Sequence, residues 1–302
     1  MRPTLSRPPA RDSWPGGAAA SLFLAALLAT VPANAQQVFP APEAAVDALV
    51  DGLSRRDAEK IRVVLGPEYR RLVPLDPVSE EDRAGFLAAW SQGHRVESDG
   101  PSARLVLSDG WTLPIPIVRG GEGWAFDTRA GVEELRVRRV GRNELAVIEA
   151  MHGYGDAQRE YAEEDRDGDG VLEYARRFSS RPGQHDGLYW PTPEGEPMSP
   201  AGPLFDTADL TDGYHGYRFR ILEAQGPAAS GGARPYLSGG HLANGFAIVA
   251  WPARFGETGV MTFVANHDGV VYQKNLGASS AAIASAMKRF DPDTTWVALP
   301  SP

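Results

Sequence analysis

The stretch GVMTFVANHDGVVYQK, residues 259–274, decides the architecture of the second half of the chain. Two apolar runs, 260–265 and 270–274, flank Asn-His-Asp-Gly, and an Asp-Gly pair between such runs is typical of a tight β-hairpin. Similar runs at 217–222 and 245–251 predict further strands. The second half is therefore predicted to contain an antiparallel sheet.

The residues before this sheet have a helical pattern. Apolar side chains recur at three- and four-residue intervals from 132 to 162, which is more typical of a core-facing helix than of a cofactor site. Gly141, followed by Asn143 and Glu144, predicts a break and a new helix start, so that residues 131–163 form connecting helices. His152 lies beside this stripe and is interpreted as a structural histidine.

The first half of the chain shows helices before strands. Residues 42–65 have helical spacing around a polar turn at 54–57, and Ser79-x-x-Asp82 is a capping pattern for a second helical stretch. The predicted strands are 104–107, 111–118 and 124–127. The fold class is therefore predicted to be α+β with two α+β halves. The predicted divisions are 38–130 (helices on an antiparallel sheet), 131–163 (connecting helices) and 164–302 (antiparallel sheet with a long Pro/Gly loop).

Residues 1–35 have the features of a signal peptide. A basic start precedes an apolar run from Ala18 to Val31, and Ala33-Asn34-Ala35 is a small-residue cleavage site. Cleavage after Ala35 by the Sec route would give a periplasmic or secreted protein beginning at Gln36, without a transmembrane segment. An uncleaved membrane anchor is the alternative.

Composition excludes several classes of function. The net charge of -9 argues against general nucleic-acid binding, which requires a basic face. The absence of cysteine excludes disulfides, thiolate nucleophiles and Cys-based zinc sites. Signatures of serine hydrolases, zinc proteases, P-loops and dinucleotide-binding folds are missing from the sequence.

The sequence DRDGDGVLE, residues 165–173, follows a calcium-loop pattern. Carboxylates at positions 1, 3, 5 and 9 surround a glycine at position 6, and a backbone carbonyl serves position 7. Arg176 replaces the bidentate Glu expected at position 12, so an oxygen would have to come from Glu163, Glu164 or elsewhere. A solvated acidic helix terminus is the alternative interpretation. The candidate Ca²⁺ ligands are Asp165, Asp167, Asp169, Val171 and Glu173.

Several other residues are candidates for binding. Tyr189 and Trp190 lie in the Pro/Gly loop, residues 181–213, and could stack on a sugar or peptide, or could cover the edge of the core. His215 and His267 are further candidates, although a turn role is favoured for His267 beside Asp268.

Six motifs lie between Gly141 and Lys274. They are Gly141-Arg-Asn-Glu-Leu-Ala, Asp156-Ala-Gln-Arg-Glu-Tyr-Ala, Asp165-Arg-Asp-Gly-Asp-Gly-Val-Leu-Glu-Tyr-Ala, Asp186-Gly-Leu-Tyr-Trp-Pro, Tyr214-His-Gly-Tyr-Arg-Phe-Arg-Ile-Leu and the 259–274 stretch. Together they resemble a bacterial secreted family, domain of unknown function 2950, and the resemblance covers almost the whole predicted mature chain. It implies an envelope location and supplies no activity, substrate or catalytic residue.

Two fainter resemblances concern architecture. The 216–219, 250–252 and 259–271 segments, after a helix with Ala157-Gln158 and Tyr161, are similar to the globular head of type IV pilins and pseudopilins. The prepilin cleavage site and the long apolar N-terminal helix are missing. The first half, which closes on a Gly-Trp-x-Phe-Asp strand, resembles cystatin-like or NTF2-like domains.

Two classes of function fit this sequence. The first is a non-catalytic binding or interaction protein of the envelope, possessing a calcium-stabilised loop and an envelope protein or polymer as its partner. The second is an extracytoplasmic hydrolase acting on an envelope polymer, for which His215, His241 and Asp268 are the first residues to test. A pair formed by His94 and Asp127 is a weaker acid/base candidate, because both residues are more typical of turns.

Overall fold

The computed structural model describes residues 36–72, 79–202 and 213–300. The predicted signal peptide, residues 1–35, lies outside this part of the chain. The α+β prediction is confirmed, because helices alternate with two main antiparallel sheets. The α-helices are α1 (Pro42–Arg55), α2 (Ala58–Leu65), α3 (Glu80–Gln92), α4 (Thr128–Tyr161) and α5 (Ser280–Ala286), with 3-10 turns at Pro67–Arg71 and Gly277–Ser279.

Local sequence signals account for the ends of the N-terminal helices. Arg56 ends α1 in the left-handed region, at φ 56°, and the Asp57 side chain then accepts the backbone N–H of Lys60 to cap α2. The predicted capping box of α3 is confirmed, since Ser79 and Asp82 each accept the other's backbone N–H.

The first sheet consists of β1 (His94–Asp99), β2 (Ser102–Leu107), β3 (Ile117–Arg119) and β4 (Trp124–Phe126). The strand order is β1-β2-β3-β4, with all neighbours antiparallel. The predicted strand at 111–118 is confirmed only in part, because residues 117 and 118 belong to β3 and Thr112 forms an isolated bridge with Val106. Pro114 and Pro116, which lie between them, lack a backbone N–H and cannot donate to a neighbouring strand.

Helix α4 is continuous over 34 residues, so the predicted break at Gly141 and the plural connecting helices are wrong. Gly141 is exposed, and a single glycine costs only about 1 kcal/mol in a helix interior. Tertiary contacts compensate for this cost, because the Asn143 amide donates to the Thr258 carbonyl and Glu144 accepts the N–H of Val260.

The second half of the chain contains the strands β5 (Tyr217–Leu222), β6 (Ala224–Gln225), β7 (Arg234–Pro235), β8 (Leu237–Ser238), β9 (His241–Leu242), β10 (Ala247–Pro252), β11 (Thr262–Asn266), β12 (Val271–Lys274) and β13 (Val297–Ala298). The second sheet has the order β13-β12-β11-β10-β5, and every neighbouring pair is antiparallel. The predicted hairpin is confirmed, with 267–270 forming the turn between β11 and β12. Two short ribbons, β6–β7 and β8–β9, lie between β5 and β10 in the chain.

Two hydrophobic cores lie on the two sheets, and α4 contributes to both. Val132 and Leu135 pack against the first core, whereas Met151, Tyr154 and Tyr161 are buried in the second. Strands β10 and β11 are buried along their whole length, since α4 packs against β11 and α5 packs against β10. The helix thus places its C-terminal half, and the loop that follows, against the second sheet.

A buried glutamine fixes the start of the long loop after α4. Gln158 donates through Nε2 to the Ala175 carbonyl and accepts the Ala175 N–H through Oε1, both at 2.8 Å. Pairing both amide groups satisfies a side chain that is otherwise shielded from water. In the described residues, no helix is both long enough and apolar enough to cross a membrane.

Candidate functional site

The acidic loop after α4 is folded around the first of its carboxylates. Asp165 accepts backbone N–H groups from Gly168, Asp169 and Gly170 at 2.8–3.2 Å. Gly168 and Gly170 adopt φ values of 79° and 87°, which only glycine adopts without strain. Carboxylate oxygens of Asp165, Asp167 and Asp169 lie within 4.8 Å of one another. The loop therefore gathers three of the predicted calcium ligands.

Glu173, another of the predicted ligands, faces a different neighbour. Its Oε2 accepts the Leu242 N–H at 2.9 Å and lies 3.5 Å from Nδ1 of His241. The same Nδ1 is 3.2 Å from Oδ2 of Asp169. Asp169 is therefore shared between the three aspartates and a second group, formed with Glu173 and His241.

Arg176, at the twelfth position of the loop pattern, serves to anchor the β8–β9 turn. Its guanidinium donates to a Glu223 carboxylate oxygen at 2.8 Å and to the Gly240 carbonyl at 3.1 Å. His241 follows Gly240 directly, so an imidazole from another part of the chain lies beside the Asp169 carboxylate of the acidic loop. Glu164, one suggested source of a further oxygen, pairs with Arg166 at 3.4 Å.

The acidic loop also acts on Tyr161, at the end of α4. Burial raises the pKa of its hydroxyl well above the usual range, and the carboxylates of Asp167 and Glu173 raise it further. The hydroxyl is therefore neutral and donates to the His185 carbonyl at 2.8 Å. This bond joins the Pro/Gly loop to the C-terminal end of α4.

The predicted aromatic binding pair packs against the second core. Tyr189 and Trp190 are both partly buried there. His185 stacks on the Trp190 ring with centroids 4.3 Å apart, and the Arg166 guanidinium lies 6.0 Å from the same ring. A sugar stacking on the His185-covered face would have to displace that imidazole.

His267 lies in the hairpin turn, as predicted, and its hydrogen bond with Arg234 determines which ring nitrogen carries the proton. The Arg234 guanidinium can only donate, so Nε2 of His267 accepts this bond at 2.7 Å and the ring proton is on Nδ1. Nδ1 is buried without a hydrogen-bond partner among the residues described. Asp268 lies 3.6 Å from Nε2, so the two adjacent side chains do approach each other.

The remaining histidines suggested by the sequence have separate surroundings. His215 is exposed, has φ 48° and contacts the Tyr214 ring. His94 stacks on Trp90, whereas Asp127 caps α4 by accepting the Ala130 N–H. The proposed acid/base partners therefore have different neighbours from one another.

A polar cleft lies between α4 and the β11–β12 hairpin and has a volume of about 360 Å³. Met151, Tyr154 and Phe246 give it an aromatic and apolar floor. The polar lining residues are His152, Asp156, Arg159 and Asn266, with Arg159 and Asp156 paired at 2.7 Å. No local sequence pattern indicates this cleft, because its two walls are about 110 residues apart in the chain.

A second cavity of about 390 Å³ is lined mainly by apolar side chains, including Tyr154, Leu188, Phe219 and Trp251. Ala201 and Gly213, which also line it, border the segment 203–212, outside the described residues.

Comparison with known proteins identifies the family but no named relative. No curated protein and no solved structure matches the chain, so the likeness to pilin heads and to cystatin-like or NTF2-like domains is not confirmed. The sequence model of the family described as "Protein of unknown function (DUF2950)" matches residues 36–299. The chain, which has motifs of this family from Gly141 to Lys274, therefore belongs to the DUF2950 family.

Proposed function

We propose that the chain is an exported binding protein of the cell envelope whose ligand enters the polar cleft between α4 and the β11–β12 hairpin. The observation that supports this proposal is the composition of the cleft, which combines an apolar floor, the buried Asn266 amide and exposed charged groups. Such a combination is typical of small-ligand sites, and about 360 Å³ is within their usual range. The ligand would be a fragment of an envelope protein or polymer.

The charges at the rim indicate the chemistry of the ligand. Arg159 and Asp156 place opposite charges side by side, and both side chains are at least half exposed. A short zwitterionic peptide could present its carboxylate to Arg159 and its amine to Asp156. His152 provides a further polar contact, while the floor formed by Met151 and Phe246 would receive an apolar side chain.

The test is a thermal-shift screen with a panel of zwitterionic di- and tripeptides. Gly155→Leu should abolish any shift, because a Cβ at Gly155 meets only the Arg159 guanidinium, at 3.7 Å, and a longer side chain would fill the cleft. Gly141→Leu, on the exposed part of the same helix, is the matched control. The proposal fails if no peptide shifts the wild type, or if the shift persists in Gly155→Leu.

A second pair of variants tests whether the charge of Arg159 contributes to peptide binding. Arg159→Ala should weaken peptide binding at least tenfold, whereas Arg142→Ala, at an exposed position of α4, should leave it unchanged. Equal affinity in both variants would contradict a role for the Arg159 guanidinium.

We further propose that the acidic loop binds Ca²⁺ and stabilises the fold. Support comes from the three clustered carboxylates of Asp165, Asp167 and Asp169, since calcium prefers oxygen ligands and an anionic loop. The Val171 carbonyl is the fourth predicted ligand. Glu173, turned toward His241, is a less suitable ligand than the sequence pattern suggests.

Export is the remaining part of the proposal. It rests on the basic, apolar and small-residue segments of 1–35. Intact mass of the secreted protein should place the new N-terminus at Gln36. A protein that keeps Met1 and is found in the membrane pellet would contradict export with cleavage.

A further inference from the structure

We propose that Asp169, Glu173 and His241 form a binding site for a divalent transition metal of the zinc class, which shares Asp169 with the three-aspartate cluster of the acidic loop. One ligand atom from each residue lies within 4.8 Å of the others. The imidazole comes from β9, and the two carboxylates come from the loop after α4. The site therefore exists only in the folded chain.

The donor set favours zinc-class metals over calcium. Imidazole nitrogen is a common ligand of zinc, copper, nickel and iron, whereas calcium is held by oxygen ligands. One histidine with two carboxylates is a chemically suitable set of three protein ligands for Zn²⁺. The imidazole of His241 is thus the ligand that makes this group favour a zinc-class metal over calcium.

Hydrogen bonds hold the Glu173 carboxylate and the backbone on both sides of His241 in place. On one side of His241, the Leu242 carbonyl accepts the Tyr174 N–H at 3.0 Å, and the Leu242 N–H donates to Glu173. On the other side, Arg176 holds the Gly240 carbonyl. Orientation of metal ligands by hydrogen bonds of this kind is a general feature of metal sites.

The negative charge of the neighbouring carboxylates also favours the binding of a cation. Among the described residues, His241 is the only basic side chain that pairs with Asp169 or Glu173. The Glu173 side chain is only 13% exposed, so solvent screens its charge poorly. Asp165 and Asp167 add further negative charge on the same loop. A divalent metal would neutralise both carboxylates at once.

The site would leave a coordination position open. His241 and Asp169 are 30% and 34% exposed, so solvent reaches the group. Three protein ligands with one open position are typical of zinc sites that bind water or a further ligand. We therefore expect one water, or a group of a bound partner, to complete the coordination.

The experiment measures Zn²⁺ binding by calorimetry and Co²⁺ binding by visible absorption, using the mature full-length protein. His241→Gln and Glu173→Gln should each weaken Zn²⁺ binding at least about tenfold, because loss of even an outer-shell partner commonly costs about 10–100-fold. Asp167→Asn, outside this ligand set, should retain Zn²⁺ binding while losing the calcium effect.

Each outcome decides the proposal. Failure of the wild type to bind Zn²⁺, or unchanged affinity in His241→Gln, would overturn it. An equal loss in Asp167→Asn would also overturn it, because binding would then reflect only the negative charge of the loop. Circular dichroism checks folding of the variants, and Glu173→Gln decides the matter if His241→Gln does not fold.

Discussion

Oε1 of Glu144 accepts the backbone N–H of Val260 at 2.8 Å, which joins the middle of α4 to the segment before β11. The same oxygen accepts the Met261 N–H at 2.9 Å and lies 3.3 Å from the Tyr217 hydroxyl. One carboxylate thus satisfies two backbone donors that belong to no strand. It is one of the points at which the long helix is fixed to the second sheet.

Replacement of Glu144 should therefore destabilise the protein. Glu144→Ala leaves the N–H groups of Val260 and Met261 without an acceptor, and we expect a loss of about 2–4 kcal/mol in the free energy of unfolding. Glu144→Gln retains an acceptor oxygen and should lose less than half as much. Urea denaturation measures both variants. Glu149→Ala, exposed on the same helix, should change stability by no more than about 0.5 kcal/mol.

Two glycine substitutions should have opposite effects. Gly141→Ala should stabilise the protein by about 0.5–1 kcal/mol, because α4 is continuous there and a Cβ would meet no atom within 4 Å. Gly259→Ala should cost at least about 1–3 kcal/mol, since its Cβ would overlap the Tyr217 hydroxyl oxygen. Thermal unfolding of both variants provides the measurement. A destabilised Gly141→Ala would indicate that the helix is broken after all.

Stability should fall steeply at alkaline pH. Burial raises the pKa of Tyr154, Tyr161 and Tyr217 well above the unfolded value of about 10. Above pH 10 the unfolded chain loses these protons while the native protein keeps them, so each tyrosine lowers the free energy of unfolding by about 1.4 kcal/mol per pH unit. Below pH 10 these tyrosines contribute no pH dependence.

Tyr161→Phe tests this sign. The variant loses the hydrogen bond to His185 and should be less stable below pH 10, but its alkaline slope should be shallower by about 1.4 kcal/mol per pH unit. Urea denaturation between pH 9 and 11 gives the slope. An unchanged slope would show that Tyr161 ionises alike in both states.

Millimolar calcium should raise the melting temperature. Extracellular calcium sites bind at about 10⁻⁴ to 10⁻³ M, so 10 mM Ca²⁺ at a Kd of about 1 mM adds about 1.4 kcal/mol, or roughly 3–6 °C. Asp167→Asn should remove the rise, whereas Asp47→Asn, an exposed change on α1, should retain it. Identical wild-type melting curves with calcium and with chelator would contradict calcium binding.

Local sequence rules were sufficient where the structure depends on neighbours in the chain. The Ser79–Asp82 capping box and the Asp268-Gly269 turn were both predicted, because their hydrogen bonds and φ angles are set within four residues. The same rules failed at Gly141, where contacts with a loop more than 100 residues away keep the helix intact. They also overextended the strand through Pro114 and Pro116.

The sequence by itself determined the α+β class, the hairpin and the acidic loop, because periodicity, turn residues and ligand spacing are properties of short segments. Only the tertiary structure brought His241 to Asp169 and Glu173, and only it formed the cleft lined by Arg159 and Asn266. Both arrangements join segments separated by about 70 to 110 residues, and no local sequence pattern indicates which distant segments come into contact. Both arrangements depend on the packing of α4 against the second sheet and of the β8–β9 turn against the acidic loop.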